Sequence, residues 1–246
     1  VSEELFFVAL FALGVVSGGT AAVIGFGIGS LLTPFLLTRL EPQLAIGVVA
    51  VPHLLATAVR YLQHRTAVDS GVLLRFGVPS AVGGLAGAAL QATFTSPLLL
   101  AVLGLLLVAT GVANLSRGFA GWQPAPAAAL VLGLLSGIFG GLAGNQGGLR
   151  AAGLTSFDLP PRAFLATGTA VALLIDLART PVYVARAGAE LAAFAAPMGV
   201  AAAGCLLGTV LGERLFFGLP RERYRQAIGV ALVAVGAFLL FRAWRT

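Results

Sequence analysis

The sequence predicts an all-α integral membrane protein built from two related halves, and three observations predict it. Of 246 residues, 59% are hydrophobic and 10% charged, whereas a soluble domain is about 25% charged. The apolar residues fall in runs, and a bilayer-spanning helix takes about 20 of them. A fixed step of 119 residues also lays the first half of the chain on the second.

Glycine, proline and charge clusters divide the chain into eight apolar segments. The first, Leu5–Thr38, is too long for one straight span. It carries Ser17-Gly18-Gly19 and Gly25-Phe26-Gly27-Ile28-Gly29 near its middle. Each helical glycine costs about 1 kcal/mol relative to alanine, so a broken or re-entrant helix is expected there. Gln43–Gln63, Gly71–Ala92 and Pro97–Leu115 read as three ordinary transmembrane helices. The fifth segment, Pro126–Phe157, is again too long, with Gly140-Gly141 and Gly144-Asn145-Gln146-Gly147-Gly148 inside it. Polar residues within that glycine run favour a second break over close packing through small residues. Pro161–Val184, Leu191–Leu211 and Tyr224–Phe241 complete the set. Glu3 and Glu4 open the chain instead of a basic stretch, so the first apolar segment is expected to stay in the mature protein.

The repeat needs no gap from Gly14 to Arg179. Ser17 meets Ser136, Gly25 meets Gly144, Pro42 meets Pro161, and Arg60 meets Arg179. Residues 1–120 and 121–246 are therefore expected to be two transmembrane repeats of one membrane domain. Each would be a broken segment followed by three helices. Charge placement suggests their relation. If each broken segment returns to the side it entered, one side collects Arg65, Arg117, Arg162, Arg214, Arg221, Arg223 and Arg225. The other side keeps Arg39, Arg186, Arg242 and Arg245 beside Glu3, Glu4 and Glu41. Simple alternation of eight spans leaves almost no bias. The first arrangement obeys the positive-inside rule better, inverts the second half, and places both termini outside. Inverted repeats with broken helices are a recurrent design of secondary transporters.

The residues opening each half resemble the sulfite exporter TauE/SafE family, also called the toluene sulfonate uptake permeases. They are Gly14, Ser17, Gly18, Gly25-Phe26-Gly27, Gly29 and Pro34, with Ala45-Ile46-Gly47 downstream. The second copy is Gly133, Ser136, Gly137, Gly140-Gly141, Gly144 and Gly147-Gly148, then Ala166-Thr167. The likeness covers nearly the whole chain. It implies a multi-pass permease of the bacterial inner membrane that carries small organosulfur or carboxylate anions such as sulfite, sulfonates or sulfoacetate. Arg150, beside the second glycine run, departs from the usual pattern and bears on substrate choice.

Candidate site residues follow from what a low-dielectric path for an anion requires. A charge at the bilayer centre costs about 2.5–3.5 kcal/mol or more, so Arg60 and Arg179 must be paired, snorkelling or functional. A guanidinium offers an oxyanion two parallel hydrogen bonds. Asp176 can pair with Arg179 at i, i+3 spacing, or act as a coupling carboxylate. His53, Thr57 and Arg60 share one helical face. Asn145, Gln146 and Arg150 form the most polar patch within a broken segment, where unwound backbone N–H groups attract anions. Ser17 and Ser136 are symmetric, with packing as the competing role. The expected site lies between the two broken segments, and its expected partners are a small anionic substrate and the lipid bilayer. A homodimer is compatible with the pattern.

Other classes fit poorly. The arginines are scattered singly, so no nucleic-acid surface is expected. Cys205 stands alone and cannot form an intramolecular disulfide. No H-E-x-x-H, C-x-x-C or P-loop is present, and no enzyme activity, metal or cofactor is expected. An intramembrane lipid-phosphate phosphatase would display glutamates within its spans; here the glutamates are expected at segment ends and in loops. An anion channel differs from a permease kinetically, not in sequence.

Overall fold

A computed structural model describes residues 2–116, 124–216 and 221–245. The helices are α1 (Glu3–Ile24), α2 (Ile28–Leu36) and α3 (Pro42–His64), then α4 (Ser70–Val72), α5 (Val78–Gln91) and α6 (Ser96–Leu115). The second half supplies α7 (Pro126–Ala143), α8 (Gly147–Leu154), α9 (Pro161–Ala193), α10 (Ala195–Phe216) and α11 (Arg221–Arg245). A π-turn over Leu73–Gly77 joins α4 to α5, so Ser70–Gln91 forms one apolar rod. Among the described residues, seven helical stretches are long and apolar enough to cross a membrane. Arg117, which enters the charge argument, lies outside the described residues, as does the stretch 217–220.

Both overlong segments are broken, the first at Gly25–Gly27 and the second at Gly144–Gln146. Each short helix folds back along its predecessor. Phe35 at the end of α2 stacks on Phe6 at the start of α1, with ring centres 5.2 Å apart. In the second half, a Cβ at Gly153 near the end of α8 would stand 3.2 Å from the Cβ of Leu132 near the start of α7.

One boundary differs from expectation. The sixth segment runs slightly past Val184 to Ala187, where the backbone leaves helical geometry (φ −129°, ψ 27°), and a second short helix then continues to Ala193, so α9 is two helices joined at a kink. Arg186 and Glu190 mimic a loop in sequence. Ala189, Ala192 and Ala193 favour helix beyond the kink, so Glu190 lies in the short helix that follows it.

Helices pair across the halves. Helix α1 packs on α10, α7 on α5, and α6 on α11, while α3 meets α9. Glycine permits the closest approaches. A Cβ at Gly18 would stand 2.1 Å from the Cys205 carbonyl oxygen, and one at Gly137 would stand 1.9 Å from that of Ser80. Gly18 and Gly137 differ by 119, whereas Ser80 and Cys205 differ by 125. The second half is therefore six residues longer than the first before α10, beyond the reach of the ungapped repeat. In the same register, Gly104 faces Gly236 and Gly111 faces Gly229, which makes α6 and α11 antiparallel.

Candidate functional site

The two breaks are built alike. Helix α1 ends at Gly25 (φ 87°) and α7 at Gly144 (φ 70°), both in the left-handed region that glycine enters without penalty. The capping N–H of Gly25 reaches the Ala21 carbonyl at 3.0 Å, and that of Gly144 reaches Gly140 at 3.1 Å. A helix C-terminus carries partial negative charge, and a carbonyl oxygen that accepts the capping N–H keeps a second lone pair for another donor. Each is met by the arginine that the repeat relates. Arg60 Nη1 donates to the Ala21 carbonyl, and Arg179 Nη1 donates to that of Gly140 at 2.8 Å. Donors and acceptors alike are 119 residues apart.

Beyond this shared contact the halves diverge. Arg179 donates from Nε to Asp176 Oδ1 at 2.9 Å, and its Nη2 stands 2.9 Å from the same oxygen. Asp176 Oδ2 lies 2.6 Å from His53 Nδ1, which places the imidazole proton on Nδ1. Thr57 Oγ1 is 3.3 Å from that nitrogen, and Arg60 Nη2 donates to Thr57 Oγ1 at 3.4 Å. A polar chain therefore crosses from α9 to α3: Arg179, Asp176, His53, Thr57, Arg60. Asp176 and Thr57 are fully buried, and Arg60 and Arg179 are 2% and 1% exposed. Neither arginine reaches out to an interface. Arg179 has its donors committed to a carboxylate and a carbonyl, whereas Arg60 Nε has no hydrogen-bond partner.

The two breaks meet each other. Ser30 Oγ donates to Asn145 Oδ1 at 3.2 Å. From the first turn of α8, Arg150 Nη2 donates to the Gly25 carbonyl at 2.8 Å. A Cβ at Gly147 would stand 2.3 Å from the Cβ of Phe26, and one at Gly29 would stand 2.2 Å from the Gly144 carbonyl oxygen. The close approach of the two breaks thus requires these glycines. Asn145 Nδ2 and both amide atoms of Gln146 are buried without a partner. A buried polar group left so costs about 1–3 kcal/mol, a cost that a ligand can relieve.

Asn145 and Gln146 line a cavity of about 80 Å³, with Gly148, Leu149 and one face of α6 forming the rest of its wall. That face is Leu106, Ala109, Thr110 and Ala113, at the spacing of one helical stripe. Thr110 was not singled out from the sequence. A threonine in a Leu-rich run is an ordinary feature, and only the fold turns it toward the break. No arginine lines this cavity.

Of the residues selected from sequence, His53, Thr57, Arg60, Asp176 and Arg179 join in one polar chain. Asn145, Gln146 and Arg150 gather at the junction of the breaks. Ser17 stands apart from both groups, since its Oγ donates to the Leu13 carbonyl of its own helix at 2.6 Å. Ser136 Oγ is buried without a partner, and neither serine lines the cavity. Among the described residues, no three His, Cys, Asp or Glu side chains come together to hold a metal ion.

The family model described as sulfite exporter TauE/SafE matches residues 10–239. No curated protein and no solved structure matches the chain.

Proposed function

The chain belongs to the sulfite exporter TauE/SafE family, and from that premise we propose that it is a secondary permease of the bacterial inner membrane for small organosulfur or carboxylate anions, such as sulfite, sulfonates or sulfoacetate. The observation that carries this reading is the junction of the two breaks. It places the partnerless amides of Asn145 and Gln146 on a cavity of about 80 Å³, while Arg150 joins the two breaks at the Gly25 carbonyl. An anion leaving water must recover its hydration from fixed donors. Asn145 and Gln146 supply amide N–H groups, the first turn of α8 supplies its helix-terminal N–H groups, and the arginines supply charge. Asp176 serves as the anchor of Arg179 and His53, and its titration would offer a route for proton coupling.

The two repeats, 1–120 and 121–246, are proposed to be inverted with respect to each other. Two features support this. Helix partners are exchanged between the halves, α1 with α10 as α7 with α5. The helices that pair with their own repeat-mates, α6 with α11, run antiparallel, as a twofold axis lying in the membrane plane requires. A site on that axis could be opened to either side by rocking one half against the other.

The testing experiment is a thermal-stabilisation panel on the purified protein with sulfite, thiosulfate, taurine, sulfoacetate and short carboxylates. A ligand present at 100 times its Kd adds about 2.7 kcal/mol of stability, so a substrate raises the unfolding temperature clearly. A panel silent for every anion, with shifts from cations or lipid phosphates, would overturn the reading.

A further inference from the structure

We infer that α6 and α11 swing together as one gate, hinged at the N-terminal end of α6. This motion, rather than the rocking of one sequence half on the other, opens the cavity beside Asn145 and Gln146. The inference rests on the permease reading above and names its moving part.

The closest helix contacts identify the bodies that can move. In lipid, small residues packed backbone to backbone and interhelical hydrogen bonds hold helices together, because lipid tails are as apolar as leucine. Each of the three glycine seams joins a helix of one half to a helix of the other: α1 to α10, α5 to α7, and α6 to α11. The halves are interlocked, and rocking them as rigid bodies would shear all three seams. The α6–α11 pair stands apart from the rest. Gly104, Gly111, Gly229 and Gly236 all turn onto its own seam, where a Cβ at any of them would stand 2.7–3.0 Å from a carbonyl oxygen of the other helix. Helix α10 also packs on α3, and α5 on α9, whereas α6 and α11 pack chiefly on each other.

The ties between this pair and the body are gathered at one end. Ser96 Oγ, at the start of α6, donates to Glu41 Oε2 at 3.0 Å. Gln43 Nε2 donates to the Phe94 carbonyl at 3.0 Å, just before α6. Arg242 Nη1, near the end of α11, donates to the Leu37 carbonyl at 2.8 Å. Toward the other end, the described side-chain hydrogen bonds of the pair stay within single helices. Asn114 Nδ2 donates to the Thr110 carbonyl, and Arg225 and Gln226 donate to Glu222. The cavity lies beyond the tied end. Leu106, Ala109, Thr110 and Ala113 of α6 form one wall, and Asn145, Gln146, Gly148 and Leu149 form the other. Among the described hydrogen bonds none joins the two walls; that of the Asn145 side chain runs to Ser30 of α2. Helix α6 has 20 residues, so a swing of about 10° at Ser96 carries Leu115 about 5 Å and opens the cavity toward that end.

Distances between pairs of spin labels, measured by pulsed electron resonance in nanodiscs, test the gate. Labels are carried on cysteines at exposed residues, and buried Cys205 is left in place. Leu62 with Leu115 spans from α3 to the untied end of the gate. Leu5 with Leu98 spans the tied end, and Leu115 with Val230 lies within the gate. In the ligand-free protein the Leu62–Leu115 distribution should be the broadest of the three. An anion that raises the unfolding temperature should shift it by about 5 Å and leave the other two pairs narrow and fixed. An equal shift between Leu115 and Val230 overturns the inference, because α6 has then moved with its own half. An equal shift between Leu5 and Leu98 overturns it too, since no hinge remains. So does a Leu62–Leu115 distribution as narrow as the others, both without ligand and with every anion of the panel. If no anion shifts the unfolding temperature, the permease reading fails, and the breadth of the Leu62–Leu115 distribution in the ligand-free protein still decides whether the gate exists.

Discussion

At the scale of single residues, the arginines related by the repeat share one contact and differ in everything else. Removing Arg179 would leave Asp176 as a buried carboxylate held only by His53. Loss of one partner from a buried pair costs about 3–5 kcal/mol, so Arg179→Ala should unfold at a markedly lower temperature in detergent. Adding Asp176→Asn should recover much of that loss, because the stranded charge goes with it. A double variant no more stable than Arg179→Ala alone would show that the Gly140 contact, not the ion pair, dominates. Thr110→Val keeps the shape of the cavity wall and removes its hydroxyl. It should weaken anion binding several-fold to about thirtyfold, the value of roughly one to two kcal/mol for one hydrogen bond, with stability unchanged. The pairing of Asp176 with Arg179 was legible in sequence from spacing alone. The involvement of His53 was not, since it depends on α3 meeting α9. The second hydrogen bond that the Ala21 and Gly140 carbonyls take from arginines 39 residues downstream was equally hidden, because it depends on how α3 and α9 pack against the breaks.

Helices and breaks obey a plainer logic. Gly137→Ala would drive a Cβ to 1.9 Å from the Ser80 carbonyl oxygen, and backbone cannot yield as a side-chain tip does. Overpacking of this kind costs about 1–3 kcal/mol. Gly199, also helical, would place a Cβ near nothing within 4 Å, so Gly199→Ala should be neutral or stabilise by up to about 1 kcal/mol. Thermal unfolding of the two variants side by side separates helix contact from helix propensity; equal effects would contradict the close α5–α7 approach. Both breaks could be read beforehand because glycine is dense where the chain reverses, and Asn145 and Gln146 fall within the second dense run. The end of α9 could not. Arg186 and Glu190 look like a loop boundary, and they do flank the non-helical Ala187, but alanine-rich helix resumes beyond it to Ala193. Likewise, nothing in Leu73–Gly77 announces a π-turn.

For the molecule as a whole, the proposed inverted arrangement makes a prediction about sides. If the broken segments return to their side of entry, each half crosses the membrane three times. Single cysteines at Ser2 and Ala243 should then label from one face and a cysteine at Ser116 from the other. Eight alternating spans would put all three on the same face, and that labelling result would rule out the hairpin topology. Cys205 is fully buried and should stay silent in such an assay. The pairing of Gly104 with Gly236 and of Gly111 with Gly229 carries a separate consequence. Residue 104 corresponds to 229 and residue 111 to 236, so each contact is the image of the other. That is the self-complementary form of an isologous interface, in which one patch meets a copy of itself across a dyad. The seam between α6 and α11 therefore has the geometry of a homodimer contact enclosed within one chain.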